Sequence, residues 1–219
     1  MNRFLIWGGG GHGKVVADAI RSSGHAVAGF VDADPLKLGG HVEPGGGCVV
    51  QLEEEFLRHL RAGAGLGSGA DAVALAIGDN RKRLECLREL EGVSVPPVVH
   101  PASVLSPSCR LGDGTVVFAG VLVNAAAMIG RAVILNTGCI VEHDCRIADG
   151  VHLSPRATLA GGVSVGRRSW IGAGATVIQR IDVGEDVTIG AGAVVIEAVP
   201  DGLTMVGVPA RPIHARLPQ

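Results

Sequence analysis

The 219 residues suffice for two small domains, and the formal net charge of −2 gives no electrostatic case for nucleic acid or an anionic membrane surface. No apolar run is long enough for a membrane span, and the short apolar start Phe4-Leu5-Ile6-Trp7 ends in glycines, which argues against a signal peptide. Five cysteines, an odd number without metal-like spacing, read as reduced thiols and a cytoplasmic location.

Residues 4–7 read as a strand and Gly8 to Gly13 as a glycine loop. Lys14 to Ser23 read as a helix with Val15, Val16, Ala19 and Ile20 on one face. Ala26 to Val31 form a second strand that ends at Asp32, completing a βαβ unit. Residues 52–61 read as helix, Ala62 to Gly69 as a loop, Ala72 to Ile77 as a strand and Asn80 to Leu90 as a charged amphipathic helix. Pro96-Pro97 mark a boundary. Residues 1–97 are therefore expected to form a Rossmann-like α/β domain.

A different pattern follows. From Val99 to Val195 an aliphatic residue occupies every sixth position, 17 consecutive hexads without an insertion. That period fits neither a helix nor a simple strand; it fits a solenoid in which six residues make one short strand and one turn. The position four after each aliphatic is small or branched, as at Cys109, Thr115, Cys139, Cys145 and Ser169, so each hexad points one large and one small side chain inward. Gly114, Gly120, Gly138, Gly150, Gly162, Gly174 and Gly192 recur in a slot where positive φ is expected. Three hexads per coil give about 5.7 coils and a prism roughly 27 Å long at the spacing of stacked strands. The domains expected are then 1–97, 98–200 for the solenoid, and 201–219 as a capping tail in which Val206 to Pro212 folds back.

Two clusters carry chemistry. Gly8-x-Gly10-x-x-Gly13 lies between a strand and a helix, with Asp32 at the end of the next strand, the context of a dinucleotide fingerprint. The domain is too small for the usual two-half sheet, so a nucleotide ligand is favoured over NAD; the alternative is a turn that merely needs glycine. His12 inside the loop has a ring able to donate to a phosphate or a sugar hydroxyl. The second cluster is Glu142-His143-Asp144. His143 falls outside both inward slots, free to act as a base, and Asp144 is placed to hold its tautomer. A lone surface histidine is more often inert. Cys145 invites a nucleophile reading that its inward register opposes. A zinc site on His100, His143 and His152 lacks converging spacing.

The chain resembles the bacterial nucleotide-sugar N-acetyltransferases of the PglD/NeuD/PerB type. The residues that carry the likeness are Gly8-Gly9-Gly10-Gly11-His12-Gly13, Val31-Asp32-Ala33-Asp34, Ala76-Ile77-Gly78-Asp79-Asn80-Arg81, Asn136-Thr137, Glu142-His143-Asp144-Cys145, Gly150 to Pro155 and Val206 to Ala210. The resemblance implies a Rossmann-like domain followed by a left-handed parallel β-helix, and transfer of acetyl from acetyl-CoA to the amine of a UDP-, GDP- or dTDP-linked amino sugar without metal. It implies that His143 is the general base and that Asp144 raises its basicity. Gly10, Gly11, His12, Asp32, Ala33 and Gly78 match positions that hold the nucleotide sugar, and His152, Ala173 and Ala191 match positions that meet acetyl-CoA. Family members are trimers, with acetyl-CoA between neighbouring prisms. Phe118, Leu122, Ile134 and Ile140, off the inward slots, are expected to supply the lateral face of that trimer. O-acetylation of a sugar or another small acceptor, and a non-catalytic nucleotide-sugar-binding solenoid, remain the alternatives.

Overall fold

The computed structural model describes residues 1–42 and 47–213. The chain opens with β1 (Arg3–Trp7), α1 (Gly11–Ser22) and β2 (Ala26–Asp32), followed by β3 (Val49–Leu52), α2 (Glu53–Arg61), β4 (Ala72–Leu75) and α3 (Asn80–Glu89). The four strands form one parallel sheet in the order β3-β2-β1-β4. The order reverses between β1 and β4, and in such sheets ligands bind at the carboxyl ends of the strands flanking that reversal.

Helix α1 starts at Gly11 rather than Lys14, so the glycine loop is only Gly8 to Gly10. Its buried stripe is Gly13, Val16, Ala17 and Ile20, the i, i+3, i+4, i+7 spacing, together with Ala19. Val15, expected on that face, falls off the stripe and is exposed. Gly13 is required because a Cβ there would collide with the carbonyl oxygen of Gly8. Strand β4 stops at Leu75, two residues before the expected end.

From Val98 each hexad supplies a two-residue strand ending in its aliphatic, and the strands stack with an 18-residue register into three parallel sheets. Face 1 holds Val98–Val99, Val116–Val117, Ile134–Leu135, His152–Leu153, Trp170–Ile171 and Thr188–Ile189. Face 2 runs from Val104–Leu105 through Leu122–Val123, Ile140–Val141, Thr158–Leu159 and Thr176–Val177 to Val194–Val195. Face 3 runs from Arg110–Leu111 to Asp182–Val183. The expected left-handed slot is observed from Gly114 (φ 71°) to Gly192 (φ 69°), and where no glycine stands there, Ala126, Ala132, Asp144, Arg156, Arg168, Arg180 and Asp186 adopt positive φ themselves. The inward residues make one continuous core. Inward Thr115 and Ser169 are tolerated because each hydroxyl donates to a carbonyl of the next coil, Gly130 at 2.9 Å and Gly184 at 2.7 Å. Cys139 and Cys145 are buried, but Cys109 in the first coil is only half-buried, since no coil lies beneath it. Thr204–Val206 extends face 1 and pairs antiparallel with Arg211–Ile213, so the segment does fold back. Residues 214–219 of the expected cap lie outside the described residues.

The α/β domain sits on face 1. Phe118 and Ile134 are buried there among Phe4, Ile6, Val16 and Ala74, so they are unavailable for a lateral contact with another copy. Only Leu122 and Ile140 of the four expected residues remain on face 2. The polar join is Arg83, fully buried. Its Nε donates to the Ala132 carbonyl (2.8 Å), Nη1 to Ile77 and Gly78 (2.9 and 3.0 Å), and Nη2 to Gly150 (2.9 Å) and to Asn80 Oδ1 (2.7 Å). Asn80 Nδ2 donates on to the Arg168 carbonyl (2.9 Å). Burial pushes the guanidinium down to about 9, so it stays charged at neutral pH.

Arg83→Met leaves the buried carbonyls of Ala132 and Gly150 and the Asn80 Oδ1 without a donor. At about 1–3 kcal/mol per buried group left unpaired, the expected loss is at least about 3 kcal/mol. In a thermal melt the midpoint should drop by about 6 °C or more, and an unchanged midpoint contradicts the join.

Candidate active site

The first half of the site lies at the sheet reversal. Gly10 caps α1 in an extended conformation with no side-chain cap and no acid in the first turn, leaving the positive helix end open. Nothing lies within 4 Å of a Cβ built at Gly10, Gly11 or Gly78, so these backbones face open space. Gly9 is the opposite case: its N–H donates to Asp32 Oδ2 at 2.8 Å. The Asp32 carboxylate also accepts from the Asp34 N–H (2.9 Å) and from Lys37 Nζ (2.9 Å). Burial acts to raise its carboxyl, but the Asp34 N–H, Lys37 and the Gly9 N–H outweigh it and hold Asp32 below the usual carboxylate range. Asp32 therefore clamps the glycine loop, and contact with a ribose would use its remaining lone pairs. Ala33 is exposed just beyond it.

His12 packs edge-on against Phe118 at 5.4 Å, and its Nε2 is a buried polar atom without a protein partner. Burial, with Arg83 nearby, lowers its pKa to about 4, so it offers a neutral ring. Beside it Gly78, Asp79, Asn80, His152 and Trp170 line a cleft of about 120 Å³ between the two domains. His152 stacks on Trp170 at 6.2 Å, and Trp170 Nε1 donates to Ser154 Oγ at 2.6 Å. The Thr137 N–H donates to Asn136 Oδ1 (2.8 Å), which turns the Asn136 amide nitrogen toward His152 Nε2 (3.2 Å). That pairing assigns Nε2 as acceptor and the proton to Nδ1. Burial, then Arg83 and His12, push His152 down to about 3. Gly78 and His152, expected on different substrates, thus share one cleft. Ala173 and Ala191 stand exposed and stacked one coil apart on the corner between faces 1 and 2.

The second half is elsewhere. His143 and Asp144 occupy the corner between faces 2 and 3, with side chains 61% and 67% exposed. His143 Nδ1 lies 2.8 Å from Asp144 Oδ2. A carboxylate can only accept, so Nδ1 carries the proton and Nε2 presents a lone pair. The left-handed backbone of Asp144 (φ 61°) turns its carboxylate back toward the preceding ring. Neighbouring Cys145 is no rival: burial pushes its thiol up, against formation of a thiolate. Among the described residues no hydrogen bond, ion pair or ring contact links this corner to the glycine loop, and no group of His, Cys, Asp and Glu could hold a metal.

Arg83 and Trp170 were not singled out from the sequence as site residues, and nothing there paired Asn136 with His152. Arg83 was findable, since Asn80, Arg83, Leu84 and Leu87 share the i, i+3, i+4, i+7 stripe of α3. Trp170 carried no such signal.

The PglD N-terminal domain family matches residues 3–90, and the bacterial transferase hexapeptide family matches residues 162–197. PerB from Caulobacter crescentus, solved with CoA and GDP-perosamine, is 41% identical over 97% of this chain and 98% of its own, with a TM-score of 0.87. The acetyltransferase domain of PglB from Neisseria gonorrhoeae, solved with acetyl coenzyme A, is 35% identical over 97% and 99%, with a TM-score of 0.85. The chain belongs to this family of hexapeptide-repeat acetyltransferases. Its fold is the family's Rossmann-like domain followed by a left-handed β-helix. GDP-perosamine N-acetyltransferase from Escherichia coli O157:H7 is 35% identical over 144 residues, 64% of this chain and 65% of that protein.

Both half-buried histidines have folded pKa values below the ordinary 6.5. Their stability contribution is full above pH 6.5 and is lost as pH falls toward about 4 for His12 and about 3 for His152. Denaturant unfolding between pH 7.5 and about 4.5 should therefore show stability falling with pH, and His152→Asn should flatten the slope. A wild-type slope equal to that of the variant contradicts the neutral, desolvated state of His152.

Proposed function

We propose that this protein transfers the acetyl group of acetyl-CoA to the amino group of a nucleotide-linked amino sugar. The observation that carries the reading is the His143–Asp144 pair on a hexapeptide coil, combined with an open glycine loop at a helix N-terminus. An amine must be deprotonated to form an amide. His143 Nε2 takes the proton as the nitrogen attacks the thioester carbonyl, and the imidazolium is stabilised by Asp144. The tetrahedral oxyanion is held by coil N–H groups, and collapse expels the CoA thiolate. No acyl-enzyme forms and no metal takes part. The nucleotide phosphates are placed against the N–H groups of Gly10, Gly11 and His12, with Asp32, Ala33 and Gly78 around the rest of the acceptor. His152, Ala173 and Ala191 line the path of acetyl-CoA. A GDP-linked amino sugar is the first acceptor to test, because one relative named above is a GDP-perosamine N-acetyltransferase and another, PerB, was solved with GDP-perosamine.

The working enzyme is proposed to be a homotrimer in the cytoplasm, where acetyl-CoA is made. Face 2 separates the two halves of the site, and its outward column of Val104, Leu122, Ile140, Thr158, Thr176 and Val194 contains no charge. Val104 is 66% exposed and Leu122 39%. Covering that face with a second copy removes exposed aliphatic surface and places the His143 of one copy at the loop of the other. It also takes the exposed His143–Asp144 pair out of water, where its attraction strengthens.

Thiol release from acetyl-CoA, followed across UDP-, GDP- and dTDP-linked amino sugars, tests the reaction, and release with none of them contradicts it. His143→Ala should bind both substrates and lose at least about 10²-fold in kcat. Near-wild-type turnover in that variant rules out the proposed base.

A further inference from the structure

The slot two residues after each inward aliphatic accepts almost anything: Pro155, Arg167, Ala173 and Gln179 all occupy it. In 17 hexads it holds glycine once, at Gly161. The backbone gives no reason for that choice, because Gly161 is not in the left-handed region, which belongs to the next slot. The corner glycines Gly112 and Gly166 are explained by the backbone of the following coil, which a Cβ would strike. Gly161 is different. The three heavy atoms nearest a Cβ built on it all belong to the His143 imidazole: Nε2 at 2.6 Å, Cε1 at 2.7 Å and Cδ2 at 3.3 Å.

The register stacks the two positions. Gly161 lies one 18-residue coil beyond His143, and the Gly162 N–H donates to the His143 carbonyl at 2.8 Å. The ring therefore rests with its Nε2–Cε1 edge over a bare Cα while Nδ1 is held by Asp144. We propose that Gly161 is a positioning residue for the base, a seat without a side chain that sets where the His143 Nε2 lone pair points. This rests on the reading of His143 as the base. A methyl group at 161 cannot coexist with the ring where it lies. The imidazole must swing away, losing Asp144, the aim of Nε2, or both.

The test is Gly161→Ala in the wild-type and His143→Ala backgrounds. With the ring present, kcat should fall about 10²-fold, as expected for a misplaced catalytic group. Both KM values should stay within about twofold, the pattern of a lost transition-state interaction. In the His143→Ala background the added methyl should cost nothing further. An unchanged kcat, or an equal loss in both backgrounds, overturns the proposal. A failure of the base reading is separate: it shows as high turnover in His143→Ala alone. The seat is also measurable in the unaltered protein, as a nuclear Overhauser contact between the His143 Cε1 proton and the Gly161 α protons. Its absence overturns the proposal even if the variant fails to fold.

Discussion

The buried guanidinium of Arg83 is the contact on which the arrangement of this molecule depends. It meets no carboxylate. Its charge is spread over carbonyl oxygens drawn from two bodies, Ile77 and Gly78 on the α/β side and Ala132 and Gly150 on the coil. A charge removed from water needs every donor satisfied, and here the fork of donors fits one relative placement of loop and prism. Asn80 doubles the join through Arg168. The cleft that holds Gly78 against His152 and Trp170 exists because this join closes it, and the depressed pKa values of His12 and His152 follow first from desolvation at the join and then from its cation.

The second constraint is the 18-residue coil. It makes columns, and columns turn sequence spacing into contact. Asn136 reaches His152, Trp170 reaches Ser154, and His143 meets Gly161, pairs separated by 16, 16 and 18 residues. The same geometry forbids other meetings. His143 on the corner between faces 2 and 3 cannot be brought to a loop docked on face 1 without bending a stack of parallel strands. That is the ground on which a site shared by two chains is proposed.

Much of this was legible in the sequence. The hexads give strand ends, inward slots and left-handed positions residue by residue, because a solenoid translates one period into structure without long-range folding choices. The outward placement of His143 and its reach to Asp144 follow from the same register. What the hexads do not encode is which outward residues are covered. Ile134 occupies the same slot of the repeat as Leu122 and Ile140, and only docking of the α/β domain on face 1 distinguishes it and covers Phe118 beside it. The start of α1 was obscured by glycines, which are poor helix formers yet serve here at an uncapped N-terminus and, at Gly13, at a close approach to Gly8. Gly161 was readable in principle as the one glycine in its slot, but its meaning needs the ring that lies over it.

The shared site is tested most directly by complementation between two inactive variants. His143→Ala keeps the glycine loop and lacks the proposed base. Gly11→Val puts a side chain into the open space above the loop and keeps the base. Each alone should be nearly inactive at low acceptor concentration. If one chain supplies the loop and its neighbour the histidine, random reassembly of equal amounts should restore about one quarter of wild-type activity, half the neighbours on each side being intact. Activity that stays at the level of the separate variants would place both halves of the site in one chain and contradict the account.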